Sequence, residues 1–341
     1  MSIYEYNNIT VLRTLKLPIF SDLNEFSQLM GISSKIIYSF ATNPARYYHE
    51  FSVPKKNGGT RIINAPIRKL KILQKWILRE ILEKISVSDY SMAFRKGSQY
   101  GIKKNAEIHA PQLYALSFDL EDFFPSISSS SVWKLFSNIG YGVKPANLLA
   151  ALCTINKYLP QGAVCSPYLS NLICSKLDLR LASFSHRRNM EFSRYADDIT
   201  FSCDDKNILR KNRASLDKII QSAGYRINTK KTRFLSPYNR KVLTGININN
   251  ETISVPKTYK KKIRAAIYSS ITSRDYSQRS AIIGMISYVN YIEPGYKEYI
   301  VKYINQILSK PSIAPETVIA YSNNKFINEV SNADRVTKSP L

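Results

Sequence analysis

Apolar positions change their spacing several times along the chain, and each change marks an element. Over the first forty-five residues the spacing is that of short helices. Ser21-Asp22-Leu23 reads as a capped start, followed by apolar Leu23, Phe26, Leu29 and Met30. Two short apolar runs then flank Asn57-Gly58-Gly59, which predicts a β-hairpin over 51–63 with basic residues on both arms. After Pro66, a helix is predicted: Ile67, Leu70, Leu73, Ile77, Ile81 and Leu82 repeat on one face, while Lys69, Lys71, Lys75 and Arg79 fill the others. Residues 113–118 form an apolar, strand-like run that ends in Asp119. Helical spacing returns over 131–158 and again over 166–183. Two β-prone runs, 191–195 and 199–203, are separated by Ala196-Asp197-Asp198, a pattern that predicts a tight hairpin with carboxylates at its tip. A helix follows over 209–223, closed by Gly224. Beyond 242–245 comes a basic helical region, and residues after 326 form a polar tail.

Charge changes this picture most. The chain carries 49 Lys+Arg against 25 Asp+Glu, a net +24, so it repels itself unless a polyanion is its partner. Nucleic acid fits, because lysine and arginine release counterions from phosphates. A membrane is the rival, but no run approaches the roughly eighteen apolar residues that a spanning helix needs. The start, Met1-Ser2-Ile3-Tyr4-Glu5-Tyr6, does not read as a secretory signal. Cys153, Cys165, Cys174 and Cys203 form no CxxC pair, and His49, His109 and His186 do not complete zinc-ligand spacing. Reduced, buried thiols in a cytoplasmic protein are expected. Low complexity is confined to 128–131, and there is no internal repeat.

Candidate chemistry rests on carboxylates. Asp119 ends one strand, and Asp197 and Asp198 sit at the turn of another hairpin, far along the chain. If the strands share a sheet, the acids converge at its end. Such a cluster suits magnesium, a hard cation that uses few protein carboxylates together with water and phosphate oxygens. Two such ions roughly 3.5–4 Å apart clamp both oxygens of an in-line phosphoryl transfer. Adjacent aspartates in a turn are common by themselves, so the neighbouring residues decide the reading.

Those neighbours resemble reverse transcriptases. Tyr195-Ala196-Asp197-Asp198 matches that family's YxDD box, and Phe118-Asp119-Leu120-Glu121-Asp122-Phe123-Phe124 resembles its first palm motif. Leu159-Pro160-Gln161-Gly162-Ala163-Val164-Cys165-Ser166-Pro167 resembles the LPQG…SP turn, and the stretch from Gly224 to Thr232 resembles a further palm motif. The hairpin from Lys55 to Arg61 resembles the fingertip that closes on the triphosphate. All five occur in family order. Asn105-Ala106-Glu107-Ile108-His109 matches the NAxxH element of retron enzymes, and Leu243-Thr244-Gly245 sits where they carry VTG, with leucine for valine.

The resemblance implies roles. Asp119 and Asp197 would ligate both metals, with Asp198 a weaker ligand because neighbours on a strand point to opposite faces. The Leu120 carbonyl would complete one shell; Glu121 and Asp122 are equally well read as surface charges. Phe124 would stack under the deoxyribose and collide with a ribose 2′-hydroxyl. Arg61 and Lys55 would grip the triphosphate, Gln161 would contact nucleotide and template, and Lys231 or its neighbour Lys230 would protonate pyrophosphate. Asn105, His109, Thr244, Gly245, Lys257, Lys260, Lys261 and Arg264 are the candidates for RNA contact, His109 equally for ordering its element. Lys262, Tyr259 and Tyr268 lie in the same basic stretch, where aromatics beside cations can stack on unpaired bases.

The expected fold is α+β, a right-hand polymerase fold. Residues 1–113 would be the N-terminal region and fingers, 114–248 an antiparallel palm, 249–325 a helical thumb and 326–341 a tail. The resemblance implies Mg²⁺ (Mn²⁺ substituting), dNTPs, a cognate non-coding RNA and its DNA product, and an effector protein from the same locus. In retrons, synthesis starts from a guanosine 2′-hydroxyl, leaves a branched RNA–DNA hybrid (msDNA), and serves anti-phage defence. A group II intron or diversity-generating enzyme is the near alternative, although the chain leaves no room for maturase or endonuclease segments. A non-catalytic RNA scaffold and an RNA-dependent RNA polymerase are the distant ones; clustered carboxylates and Phe124 speak against them.

Overall fold

The computed structural model describes residues 3–55, 58–310 and 316. Three short helices open it, α1 (Ile3–Thr14), α2 (Leu23–Met30) and α3 (Ser34–Thr42). Asp22 caps α2 by accepting the Asn24 and Glu25 amides, and Gly31 ends the helix at φ 61°. The hairpin of β1 (Tyr48–Pro54) and β2 (Thr60–Pro66) pairs antiparallel, with Pro54 opposite Thr60. Asn57 of its expected turn lies outside the described residues. Helix α4 (Arg68–Glu80) buries the apolar stripe that predicts it, with one polar insertion, Gln74. That amide is fully buried and donates to the Tyr48 hydroxyl and the Leu152 carbonyl, while its oxygen accepts from the Val164 amide.

Next come α5 (Ile102–His109), β3 (Tyr114–Asp119), α6 (Ser129–Ile139) and α7 (Val143–Cys153). The single helix expected over 131–158 is therefore two. Gly140 ends α6 at φ 121°, a conformation closed to other residues, and Gly142 is the N-cap of α7. Helix α8 (Ser166–His186), strands β4 (Glu191–Tyr195) and β5 (Asp198–Cys203) and helix α9 (Lys206–Ser222) follow their predicted positions. With β6 (Arg233–Leu235), the strands make a four-stranded sheet in the order β4-β5-β3-β6. The β3–β5 and β4–β5 ladders are antiparallel. Phe118 and Phe201 from this sheet join Phe26, Ile77, Phe136 and Leu169 in one fully buried apolar core.

The chain forms two compact units: 1–108 with 113–234, and 109–112 with 235 onward. Most of the expected palm thus folds with the expected fingers, while 235–248 groups with the expected thumb. The second unit contains a small hairpin, β7 (Val242–Leu243) with β8 (Ile246–Asn247). Helices α10 (Lys257–Ser273), α11 (Arg279–Ile292) and α12 (Tyr296–Leu308) complete it. Ile263, Ile267 and Ile271 of α10 face Ile282, Ile286 and Val289 of α11 and Ile300, Ile304 and Ile307 of α12, all buried. The tail 326–341 lies outside the described residues. Among the described residues no helix is long and apolar enough to cross a membrane.

Candidate active site

The tip of the β4–β5 hairpin is a two-residue turn, Ala196-Asp197, between paired Tyr195 and Asp198. Ala196 holds φ 57°, a conformation that costs a residue with a Cβ. Both turn carbonyls are held: the Leu120 amide donates to the Asp197 carbonyl at 3.0 Å, and the Arg194 guanidinium donates to the Ala196 carbonyl at 3.2 Å. Arg194 is itself fully buried. Its Nε and Nη2 donate to Asp178 Oδ1 and Oδ2 at 2.7 and 2.8 Å, and Nη1 donates to Asn171 at 3.2 Å. A forked arginine can do this; a lysine cannot.

The three aspartates meet at this tip. Asp119 is the direct cross-strand partner of Asp198 in the β3–β5 ladder. Strand alternation therefore does not turn Asp198 away from Asp119, because residues directly opposite one another share a face. Burial first, then the charges of Asp197 and Asp119, push the Asp198 carboxyl up to about 6. Burial also raises that of Asp197, and Asp119 adds to the rise, while Lys231 and Arg61 oppose it. Arg61 on β2 thus feels the aspartate cluster across the unit.

Lys231 reaches the cluster through a backbone tie. The Asn228 amide donates to the Asp119 carbonyl at 2.8 Å, and the Lys231 and Thr232 amides both donate to the Asn228 carbonyl. The Lys231 ammonium then lies 3.0 Å from both Asp119 oxygens. Of the two adjacent lysines, Lys231 is the one at the acids. Among the described residues no group of three or more His, Cys, Asp or Glu side chains makes a ready metal cage. Clustered carboxylates with an ammonium already drawn in are nonetheless the donor set of a hard divalent ion that takes its other ligands from water and phosphate.

Around the acids, Leu120 is buried and Phe124 half-buried, its ring 5.3 Å from that of Phe123 and 6.3 Å from that of Phe94. Glu121 makes a loose pair with Arg226 at 3.9 Å, and Asp122 is exposed. Gln161 is half-exposed, and its carbonyl accepts from the Asn64 amide of β2 at 2.7 Å. Gly162 beside it has φ 116°, and a Cβ there would come within 2.8 Å of the Asn64 carbonyl oxygen and of Ile63. The turn after Pro160 is thereby pressed onto the basic hairpin. Lys55 is exposed at the end of β1, its amide and carbonyl bonded to Gly59 and Gly58.

Two of the residues named as candidates for RNA contact are buried. Asn105 is 1% exposed and accepts from the Ser193 hydroxyl of β4 at 2.7 Å; His109 is 0% exposed, and burial pushes its imidazole pKa down to about 3. Both lie on α5, and Asn105 ties it to β4. Lys260 is also engaged: it pairs with Glu293 at 2.8 Å, and Glu293 accepts the Val255 amide. Lys257 and Lys261 are exposed, and Arg264 donates to the Tyr299 hydroxyl at 3.1 Å. Thr244 and Gly245 form the two-residue turn of β7–β8 with φ 46° and 90°, the type I′ pattern, unusual for a β-branched residue. All four cysteines are buried and free.

Arg194, Asp178 and Asn171 are the residues that sequence reasoning missed. The signal existed: Arg194 sits between Phe192 and Ala196 at an inward strand position, and Asp178 shares a helical face with Cys174, Leu177 and Leu181. A charge on each of two apolar faces is the mark of a buried pair.

A family model described as reverse transcriptase (RNA-dependent DNA polymerase) matches residues 53–276. The retron Ec86 reverse transcriptase of Escherichia coli is 35% identical over 90% of this chain and 95% of its own length. The retron Mx65 reverse transcriptase of Myxococcus xanthus is 31% identical over 82% of this chain and 70% of its own. Among solved structures, a telomerase from Candida albicans is 14% identical with a TM-score of 0.49, covering 88% of this chain and 62% of that one. Motif order, carboxylate geometry and sequence relationship agree: the chain belongs to the reverse transcriptase family and, within it, to the retron reverse transcriptases.

Proposed function

We propose that this RNA-directed DNA polymerase copies a structured non-coding RNA from its own locus, priming from a guanosine 2′-hydroxyl and leaving a branched RNA–DNA hybrid (msDNA) for anti-phage defence with an effector protein. The observation that carries the catalytic reading is the meeting of Asp119, Asp197 and Asp198 with Lys231 at one strand end. Mg²⁺, for which Mn²⁺ can substitute, would activate the attacking hydroxyl and neutralise pyrophosphate when bound by Asp119, Asp197, Asp198 and the Leu120 carbonyl. Lys231 would then leave Asp119 for the leaving group and donate its proton there. Arg61 and Lys55 would hold the triphosphate of the incoming dNTP, Gln161 would meet nucleotide and template, and Phe124 would exclude a 2′-hydroxyl. Exposed Lys257 and Lys261, together with the Thr244-Gly245 turn, would track the RNA backbone. Lys260 and Arg264 would contribute charge from their present bonds.

The test is extension by the purified protein on RNA from its own locus, with dNTPs and Mg²⁺. Wild type should make DNA and Asp197→Asn should make none. Replacing the priming guanosine by 2′-deoxyguanosine should abolish the branched product and spare extension from an added DNA primer. No synthesis on any primed RNA would sink the catalytic reading; a branched product from the deoxy substrate would sink the priming one.

A further inference from the structure

Phe94 combines three features that the reaction as described leaves unexplained. It is a bulky aromatic held at φ 58°, a region such residues rarely enter. The residue is 44% exposed. Its ring stands 6.3 Å from the ring of Phe124, tilted by 44°. A single exposed phenylalanine is ordinary. A strained one beside Phe124 is not, because strain persists only where the surroundings enforce it.

The surroundings do enforce it. The Arg194 amide donates to the Tyr90 carbonyl and the Met92 amide to the Arg194 carbonyl, both at 2.8 Å. The Ser91 hydroxyl donates to Asn171, and the Asn171 amide donates to the Ala93 carbonyl, again both at 2.8 Å. Beyond Phe94, the Arg95 guanidinium donates to the Ser88 carbonyl at 2.8 Å and lies 3.4 Å over the Tyr100 ring. Residues 90–93 and 95 are thus fastened to β4, to α8 and to their own loop. The strained residue between them is left with its ring toward Phe124 and solvent. Asn171 and Arg194, which fasten this segment, are bonded to each other, and Arg194 also holds the Ala196 carbonyl of the turn that carries Asp197.

We propose that Phe94 is a second aromatic wall of the nucleotide site, facing Phe124 and positioning the incoming deoxynucleoside triphosphate by contact with its sugar or base. The inference rests on the reading of Phe124 as the residue beneath the deoxyribose. Two rings set at an angle form an apolar corner that holds a flat or puckered ring by offset contact. The fastened loop makes that corner rigid before the nucleotide arrives, which lowers the ordering cost of binding.

Steady-state extension of a DNA primer on an RNA template tests this, with dNTP and primer–template varied separately. Phe94→Ala should raise KM for dNTP roughly tenfold, the loss of one aromatic contact, with a smaller change in kcat. The KM for primer–template should stay unchanged, and Phe94→Tyr, which keeps a ring, should recover most of the loss. Phe94→Gly relieves the backbone and should melt no lower than wild type. An unchanged dNTP KM in Phe94→Ala overturns the proposal, as does an effect on primer–template KM instead. Lowered melting of both the alanine and glycine variants would make the residue structural and overturn it too. Phe124→Ala reports separately through ribonucleotide discrimination: unchanged discrimination there, with a raised dNTP KM in Phe94→Ala, removes the gate and keeps the wall.

Discussion

Arg194 shows how one residue links fold stability to chemistry. Four hydrogen bonds from its guanidinium go to Asp178, Asn171 and the Ala196 carbonyl, with both charges removed from water. Removing one member leaves the other charge buried and unpaired, a loss of about 3–5 kcal/mol. Arg194→Met should therefore lower the unfolding free energy by about that amount in a denaturant titration. The double variant Arg194→Met, Asp178→Leu should recover much of it, because two apolar side chains can replace a buried ion pair. Extension activity should stay low in the double variant, since the strained turn that carries Asp197 then loses the side-chain donor to its Ala196 carbonyl. Recovery of activity together with stability would show that the turn needs no such hold.

At the scale of elements, the site is made by close approach between segments remote in sequence. The turn at 160–162 is bonded to β2 through Asn64, and Gly162 leaves no space for a side chain. Gly162→Ala meets both an unfavourable φ and a collision with main-chain oxygen. It should cost more than about 1 kcal/mol of stability in thermal melts and raise KM for dNTP, because β2 carries Arg61. A variant with wild-type melting and wild-type KM would mean that the hairpin does not need this contact. The division of 131–158 into α6 and α7 has a related cause. Gly140 and Gly142 interrupt a pattern whose apolar spacing continues across them, so periodicity by itself reads one helix.

For the whole molecule, a net charge of +24 dictates behaviour beyond any one contact. Binding to RNA should weaken steeply with salt, with a log–log slope of about −0.7 to −0.9 per phosphate neutralised. Affinity measured across a salt series should thus yield several phosphates; a flat dependence would contradict an electrostatic interface. Substituting exposed Lys257 and Lys261 by glutamine should reduce that slope. Substituting Lys260 should reduce stability as well, since it is tied to Glu293 inside the helical unit.

By itself the sequence determined the family, the order of the motifs and most element positions, and it singled out the three aspartates as candidates. These are written locally, in short patterns of spacing, turn chemistry and charge. Tertiary structure decided what depends on convergence. It set Asp198 directly opposite Asp119, because register is fixed by pairing between remote strands. It chose Lys231 over Lys230 through the tie from Asn228 to Asp119. It withdrew Asn105 and His109 from solvent and bound Asn105 to β4, a burial that no motif match reveals. It also set Phe94 beside Phe124 and Arg194 behind the Ala196-Asp197 turn. A buried charge pair and a strained ring have meaning only once the chain has brought their partners alongside.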